Sequence, residues 1–172
     1  MALGLQTSLS GRISPIAALL LVALVSAPAE SATKRTGNPF DLLKGYWSGG
    51  GTVTPPKGHA EKVSCRVTYT VSGATVTQNM RCAGTDYKVN TSAQLTYSGG
   101  KVSGSWNEST YDASGTVAGT AGGNTIHARI TGDKFSGRMS ISVSGSRHSI
   151  NIVQLDKNTG SYRKAASISL HR

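Results

Sequence analysis

Apolar and polar residues alternate with a period of two from Tyr46 to Leu155, as they do in strands that bury one face. Glycine-containing pairs interrupt this alternation, and glycine supplies the positive φ that two-residue hairpin turns require. The turns predicted in this way are 73–74, 84–85, 99–100, 122–123, 132–133 and 145–146. The predicted strands are 46–54, 61–72, 75–83, 86–98, 101–111, 116–121, 124–131, 134–144 and 147–155.

Each predicted turn also fixes which residues face each other across its hairpin. The facing pairs include Ala93 with Trp106, Ile130 with Phe135, and Ile141 with Ile150. These apolar side chains fall on one common face, and a slip of one residue would turn that face outward. The turns and the alternation therefore predict the same buried side of the sheet.

The turn at 73–74 places the two cysteines, Cys65 and Cys82, directly opposite each other. They fall on a non-hydrogen-bonded pair, where Cα atoms lie about 4.5 Å apart. A disulfide accepts that separation, so we predict a Cys65–Cys82 bridge; the alternative is two free buried thiols. The sequence has no C-x-x-C or H-x-x-x-H pattern, and no metal site is predicted.

Charge supports the same two-faced sheet. The chain carries 18 Lys and Arg against 8 Asp and Glu, a formal net charge of +10. The basic residues of the predicted strands all lie opposite the apolar face; they are Lys62, Arg66, Arg81, Lys88, Lys101, Arg129, Lys134, Arg138 and Arg147. The aromatic side chains mostly point inward, away from any base they could stack on, so acidic envelope surfaces are favoured over nucleic acid as partners.

Hairpin-linked strands with one apolar face must close or split to hide that face. We therefore predict an all-β fold, an antiparallel up-and-down meander of 8–10 strands closed as a barrel over residues 38–155. A two-sheet sandwich is the alternative. Residues 38–43 predict one short helical turn, with Asn38 as its cap and Pro39 at its first position. Residues 156–172 predict a basic tail, with a tenth strand at 167–170 as the alternative.

Residues 1–29 have the features of a secretory signal peptide, and 30–37 those of a flexible leader. Arg12 precedes an apolar run from Ile16 to Val25, and Ala27-Pro28-Ala29 fits the cleavage rule. The run is about half the length of a membrane-spanning helix, although an uncleaved anchor is the alternative. We expect a secreted chain that does not span a membrane, periplasmic if the host is a Gram-negative bacterium.

The segment Leu43–Gly51 reads L-x-G-x-W-x-G-x-G, with Trp47 just after the helical turn and at the start of the first strand. This segment resembles the start of calycin barrels, which include lipocalins, avidins and fatty-acid-binding proteins, and looks most like nitrobindin-type barrels. The chain also resembles small exported proteobacterial proteins. The resemblance implies a structural Trp47 across the closed end of a barrel. Nitrobindin-like barrels carry a late haem-ligating histidine; the candidates here are His148, beside the closed-end turn, and His171 in the tail.

The other end of the barrel is then open, and several core-face residues are expected to point toward it. The predicted ligand-binding residues are Val67, Met80, Tyr87, Trp106, Glu108 and Gln154. Glu108 is either an anchor for a ligand amine or hydroxyl or a rim carboxylate that reaches solvent, and Trp106 is either a ligand platform or core filler. The core-face glycines, such as Gly51 and Gly119, either leave room for a cavity or ease sheet coiling.

The leading hypothesis is an exported, non-enzymatic barrel that binds a small, partly apolar molecule at its open end and has no cofactor. No hydrolase, zinc-protease or P-loop motif occurs in the sequence. The alternative is an envelope-associated structural or protein-interaction module, including a protease-inhibitor-type barrel, that works through its basic outer face. Its working residues would be Arg66, Arg81, Arg129 and Arg138.

Overall fold

The computed structural model describes residues 37–55 and 58–172, so the predicted signal peptide and almost all of the leader lie outside the described residues. One 3₁₀ turn, Pro39–Leu42, precedes ten antiparallel strands that close into a barrel. The strands are β1 Gly45–Val53, β2 Glu61–Ser72, β3 Thr75–Ala83, β4 Lys88–Ser98, β5 Lys101–Glu108, β6 Ala113–Gly122, β7 Thr125–Gly132, β8 Gly137–Ser144, β9 Arg147–Leu155 and β10 Tyr162–His171.

Every strand pairs with its neighbours in the sequence, and β10 pairs with β1. The predicted up-and-down barrel is therefore confirmed, and the sandwich alternative is excluded. In the described part of the chain, no helix has the length and apolar character needed to cross a membrane.

The predicted basic tail is wrong, because residues 162–171 form the strand that closes the barrel. Ile168 and Leu170 point into the core opposite Gly51 and Gly49 of β1. A bulge between Lys164 and Ala166 shifts the register against β9 and interrupts the alternation of this strand. The period-two pattern was consequently visible only over 167–170, the alternative that the sequence left open.

The two-residue turns at 73–74, 99–100 and 145–146 are confirmed, and the turn after β6 lies one residue later than predicted. The turns at 84–85 and 132–133 are wrong, because four-residue loops occupy 84–87 and 133–136. Ile130 consequently faces Gly137 rather than Phe135. The pairing of β7 with β8 is therefore shifted by two residues from the predicted pairing. Because side chains alternate between faces with a period of two, the same residues of β8 still face the core.

The two ends of the barrel differ in their loops. One end carries only two-residue turns between strands, together with the 3₁₀ turn, and we call it the closed end. The other end carries the longer connections, and we call it the mouth; its loops span 54–60, 84–87, 109–112, 133–136 and 156–161. Long loops on a rigid scaffold are where binding sites usually lie.

Trp47 seals the closed end and is fully buried beneath the 3₁₀ turn. Its indole Nε1 donates a hydrogen bond of 2.6 Å to the carbonyl oxygen of Leu43. The guanidinium of Arg172 lies 4.4 Å from the centre of the indole and donates to the carbonyl oxygen of Lys44. Burial, a hydrogen bond and a cation–π contact therefore hold this ring in place.

The Cys65–Cys82 disulfide is confirmed, with the two Cα atoms 4.1 Å apart on facing positions of β2 and β3. In the chain-entropy model such a bridge contributes roughly 3 kcal/mol to stability. A disulfide indicates an oxidising compartment.

The core-face glycines allow the strands to approach each other closely. A Cβ added to Gly51 would meet the backbone oxygen of Ser167, and one added to Gly119 would meet that of His127. These contacts favour sheet coiling over cavity space as the reason for glycine at both positions.

Candidate functional site

The predicted ligand residues do not all lie at the mouth, because barrel strands tilt against the axis. One row of paired residues runs from Trp47 through Val67, Met80 and Thr91 to Glu108. This row starts at the closed end and reaches the mouth only at Glu108. Val67 therefore lies beside Trp47 in the closed half of the barrel, where it is almost completely buried. It does not point toward the mouth as the sequence predicts.

Trp106 lies on the inner face of β5, two residues from its mouth end, between Ala93 and Gly115. These two small neighbours leave space for the indole. Phe135, from the loop 133–136, packs edge-on against it with ring centres 6.2 Å apart. The indole Nε1 is buried and has no hydrogen-bond partner among the described residues. An unpaired buried N–H costs about 1–3 kcal/mol, a cost that an acceptor placed beside this donor would relieve.

Glu108 is neither an open rim carboxylate nor a free anchor. The residue is only 6% exposed. Its Oε1 accepts hydrogen bonds of 2.9 Å from the backbone N–H groups of Asn90 and Thr110, and Oε2 accepts one of 2.7 Å from that of Tyr111. Burial raises the pKa of the Glu108 carboxyl, but these backbone donors together lower it below its ordinary value. The carboxylate holds β4 to the loop 109–112.

Tyr87 lies in the loop 84–87 and stacks on Tyr111 of the next mouth loop, with ring centres 5.5 Å apart. Tyr111 is exposed. Burial, and then the nearby Tyr111 and Glu108, raise the pKa of Tyr87 to about 12. The phenol is therefore a neutral hydrogen-bonding group at physiological pH.

Gln154 is buried at the mouth end of β9. Its Oε1 accepts a 2.6 Å hydrogen bond from Arg163 of β10. Arg163 also donates to the carbonyl oxygen of Pro55 in the first mouth loop. Gln154 thus orients an arginine that joins β10 to that loop.

Five charged side chains form hydrogen bonds with backbone groups and so connect each mouth loop to a neighbouring loop or strand. They are Glu61, Glu108, Lys134, Lys157 and Arg163. Lys134, for example, donates to the carbonyl oxygens of Tyr111 and Asp112 at 3.0 and 2.7 Å. These hydrogen bonds join the described parts of the mouth loops to one another and to the strands.

The side chains on the inner face of the barrel differ in how deeply they are buried. Inward-facing side chains around Trp47, such as Val76 and Val102, are almost completely buried. Several other inward-facing side chains are only partly buried; they are Gln78, Val89, Thr91, Ala93, Trp106, Met139 and Ile152. We call the part of the barrel interior that they line the lumen. Its wall is mainly apolar, and Gln78 and Thr91 add a polar pair joined by a 3.2 Å hydrogen bond.

Neither late histidine fits a haem ligand. His148 is 2% exposed and packs against Trp47 at the closed end. Its Nε2 lies 2.8 Å from the hydroxyl of Tyr69, and its Nδ1 lies 3.4 Å from the carbonyl oxygen of Ser142. His171 is exposed at the end of β10. Within residues 37–55 and 58–172, no group of three His, Cys, Asp or Glu side chains could hold a metal ion.

Sequence reasoning missed three residues of the mouth. Phe135 was assigned to a strand, Tyr111 to the end of another, and Arg163 to the tail. The sequence predicts a turn at 112–115 between strands 101–111 and 116–121, whereas the loop spans 109–112 and β6 begins at Ala113. Asp112 ends this loop with φ of +51°, a conformation that aspartate tolerates.

Comparison with known proteins supports the architecture. No protein-family model matches the chain, and no curated protein matches it. The structure of Rv2717c from M. tuberculosis is similar with a TM-score of 0.64 and 14% identity, over 76% of this chain and 92% of that one. The S-type phycobiliprotein lyase CPES from Guillardia theta is similar with a TM-score of 0.54 and 13% identity, over 77% and 89%. At these identities the likeness extends to the barrel fold alone.

Proposed function

We propose that this protein is an exported, calycin-like barrel that binds a small, partly apolar molecule in its lumen through the mouth. The observation that carries the proposal is a group of mainly apolar side chains on the inner face of the barrel that are not fully buried. Val76 and Val102 are almost completely buried, whereas inward-facing Ala93, Trp106, Met139 and Ile152 keep accessible surface. A mainly apolar space with a few polar groups is typical of small-molecule sites.

The polar groups of the lumen favour a ligand with a hydrogen-bond acceptor. The unpaired Nε1 of Trp106 is a donor without an acceptor. Thr91 and Gln78 offer further polar atoms on the same inner surface. A ligand that places an acceptor near Trp106 and an apolar body against Met139 would use both features of the wall.

Binding is favoured over catalysis by the state of Glu108. An acid or base catalyst needs a carboxyl that can reach a substrate and exchange a proton near the working pH. Both oxygens of Glu108 accept backbone hydrogen bonds, and these bonds lower its pKa. Export is supported by the disulfide and by the signal-like pattern of residues 1–29. The similar fold of the phycobiliprotein lyase supports the proposal only through its architecture.

The test uses N-phenyl-1-naphthylamine, an uncharged apolar fluorophore that the basic outer face does not attract. Titration of the native protein should give a saturable increase in fluorescence. Ala93→Leu adds apolar bulk to the lumen and should weaken this binding about tenfold or more, since overpacking a site costs about 1–3 kcal/mol. Ala118→Leu is the matched control, because Ala118 is exposed on the outside of β6. Equal binding by both variants, or no saturable binding at all, would exclude the lumen as the site.

A further inference from the structure

The outer wall of the barrel carries a basic trough across β1, β2 and β3. Two adjoining depressions of about 570 and 620 Å³ share Ser64 and Ala83 as common lining. Small residues form the floor, whereas Lys62, Arg66 and Arg81 rise around it, and Lys88 stands at its β4 side. Neither depression enters the lumen, so the trough is a second surface, separate from the proposed ligand site.

The arginines of the trough face each other without a counter-charge. Arg66 and Arg81 occupy directly opposite positions on β2 and β3, and both are exposed. Like charges in such a pair are destabilising. Among the described residues neither guanidinium makes a hydrogen bond or a salt bridge. Their planar N–H donors are therefore free to bind carboxylate or sulfate groups in pairs.

A second cross-strand arginine pair differs from the trough pair because one of its arginines already contacts an aromatic ring. Arg129 and Arg138 face each other on β7 and β8, on the opposite side of the barrel. The guanidinium of Arg138 lies 4.4 Å from the centre of the Tyr162 ring, so that pair already has an aromatic partner. The trough arginines have no such contact within residues 37–55 and 58–172.

The described acidic residues lie at the two ends of the barrel and not in the middle of its outer wall. Of the acidic residues that the structure describes, Asp41 lies at the closed end. The others lie in the mouth loops or at strand ends beside them; they are Glu61, Asp86, Glu108, Asp112, Asp133 and Asp156. Glu61 is the acid beside the trough: its carboxylate lies against the lining residue Gly84, and its Oε1 accepts a hydrogen bond from the backbone N–H of Asp86. The positive charge of the trough is therefore concentrated in the depression that Arg66, Arg81 and Lys88 line.

We propose that this trough binds an anionic polysaccharide. The cationic walls match carboxylate or sulfate groups, and the hydroxyl and amide groups of Ser48, Ser64 and Asn90 match sugar hydroxyls. No aromatic side chain lines either depression, which removes the stacking surface that single-stranded nucleic acids use. Two adjoining depressions offer room for more than one sugar unit, which favours a polymer over a single anion.

The test measures binding of polygalacturonate and heparin, which carry carboxylate and sulfate groups, and of a single-stranded DNA oligomer, all at physiological salt. Arg66→Gln/Arg81→Gln should weaken binding of at least one polysaccharide about tenfold or more, because two charge-assisted contacts are lost. Arg129→Gln/Arg138→Gln removes the same charge from the far side and should change that affinity by less than about threefold. Comparing polygalacturonate with heparin identifies which anionic group is recognised.

Thermal unfolding separates a binding defect from a folding defect. Arg66→Gln/Arg81→Gln should melt at the same temperature as the parent protein or above it, because it relieves a like-charge pair. If both double variants lost the same affinity, net charge alone would explain the loss, and the proposal would be overturned. The proposal would also be overturned if the protein bound neither polysaccharide. It would fail as well if the DNA oligomer bound as tightly as the polysaccharides and lost the same affinity in Arg66→Gln/Arg81→Gln.

Discussion

Glu108→Gln is the substitution that most sharply tests the structural account of the mouth. The carboxylate accepts three backbone hydrogen bonds, from Asn90, Thr110 and Tyr111. A glutamine amide can turn its oxygen toward the first two donors, but its NH₂ group then faces the N–H of Tyr111. The substitution keeps the shape of the side chain, so its effect isolates the charge and the third acceptor.

The expected loss follows from those three bonds. Hydrogen bonds to a charged acceptor contribute about 1.5–3 kcal/mol each, neutral ones about 0.5–1.5 kcal/mol, and an unpaired buried donor costs about 1–3 kcal/mol. Two weakened bonds and one unpaired donor give a loss of about 3–6 kcal/mol in the free energy of unfolding. For a domain of this size that corresponds to a decrease of roughly 10–20 °C in Tm.

Thermal unfolding followed by circular dichroism provides the assay, and Glu61→Gln is the matched control. Glu61 also lies at the mouth, but it is less buried and its Oε1 accepts one backbone bond, from Asp86. Its loss should be below about 1 kcal/mol. The pKa of Glu108 is lower in the folded state, so its stabilisation is present above the unfolded-state pKa and is lost as the pH falls through the folded-state pKa. The difference between parent and Glu108→Gln should therefore shrink in acid. A Tm unchanged by Glu108→Gln at neutral pH would refute this reasoning.

Three further outcomes follow from the closed end and the disulfide. Trp47→Phe should cost about 2–4 kcal/mol in guanidinium unfolding, because it leaves a void and removes the donor to the Leu43 carbonyl; a loss under about 1 kcal/mol would contradict the packing described. Burial lowers the pKa of His148, so stability should decrease as the pH falls below the unfolded-state pKa of 6.5, and His148→Gln should flatten this decrease. The native protein should show no free thiol without reductant, and reduction of Cys65–Cys82 should cost roughly 3 kcal/mol; two reactive thiols would contradict the β2–β3 pairing.

The barrel could be predicted from the sequence because alternation and turn chemistry are local signals. Gly73, Gly99 and Gly145 each have positive φ at the first position of a two-residue turn, and these turns define the closed end. The same parity rule placed Cys65 opposite Cys82 and the strand cations outside. Each feature depends on residues that are near in the sequence or on a pairing set by one tight turn.

The mouth could be predicted only in part, because tertiary contacts decide its geometry. The position of Val67 depends on strand tilt, which alternation does not encode. The position of β10 depends on a bulge at Lys164 that interrupts the pattern. The state of Glu108 depends on backbone donors of β4 and the loop 109–112, which meet it only after the sheet has formed.

The most direct test of the lumen uses the two indole N–H signals in a ¹H–¹⁵N spectrum, one from each tryptophan of the chain. The Nε1 of Trp47 donates to Leu43 at the closed end, whereas that of Trp106 has no described partner in the barrel interior. Titration with N-phenyl-1-naphthylamine should shift the Trp106 signal in a saturable manner and leave the Trp47 signal in place. Saturating fluorophore that shifts neither signal, or only that of Trp47, would contradict a ligand site in the lumen.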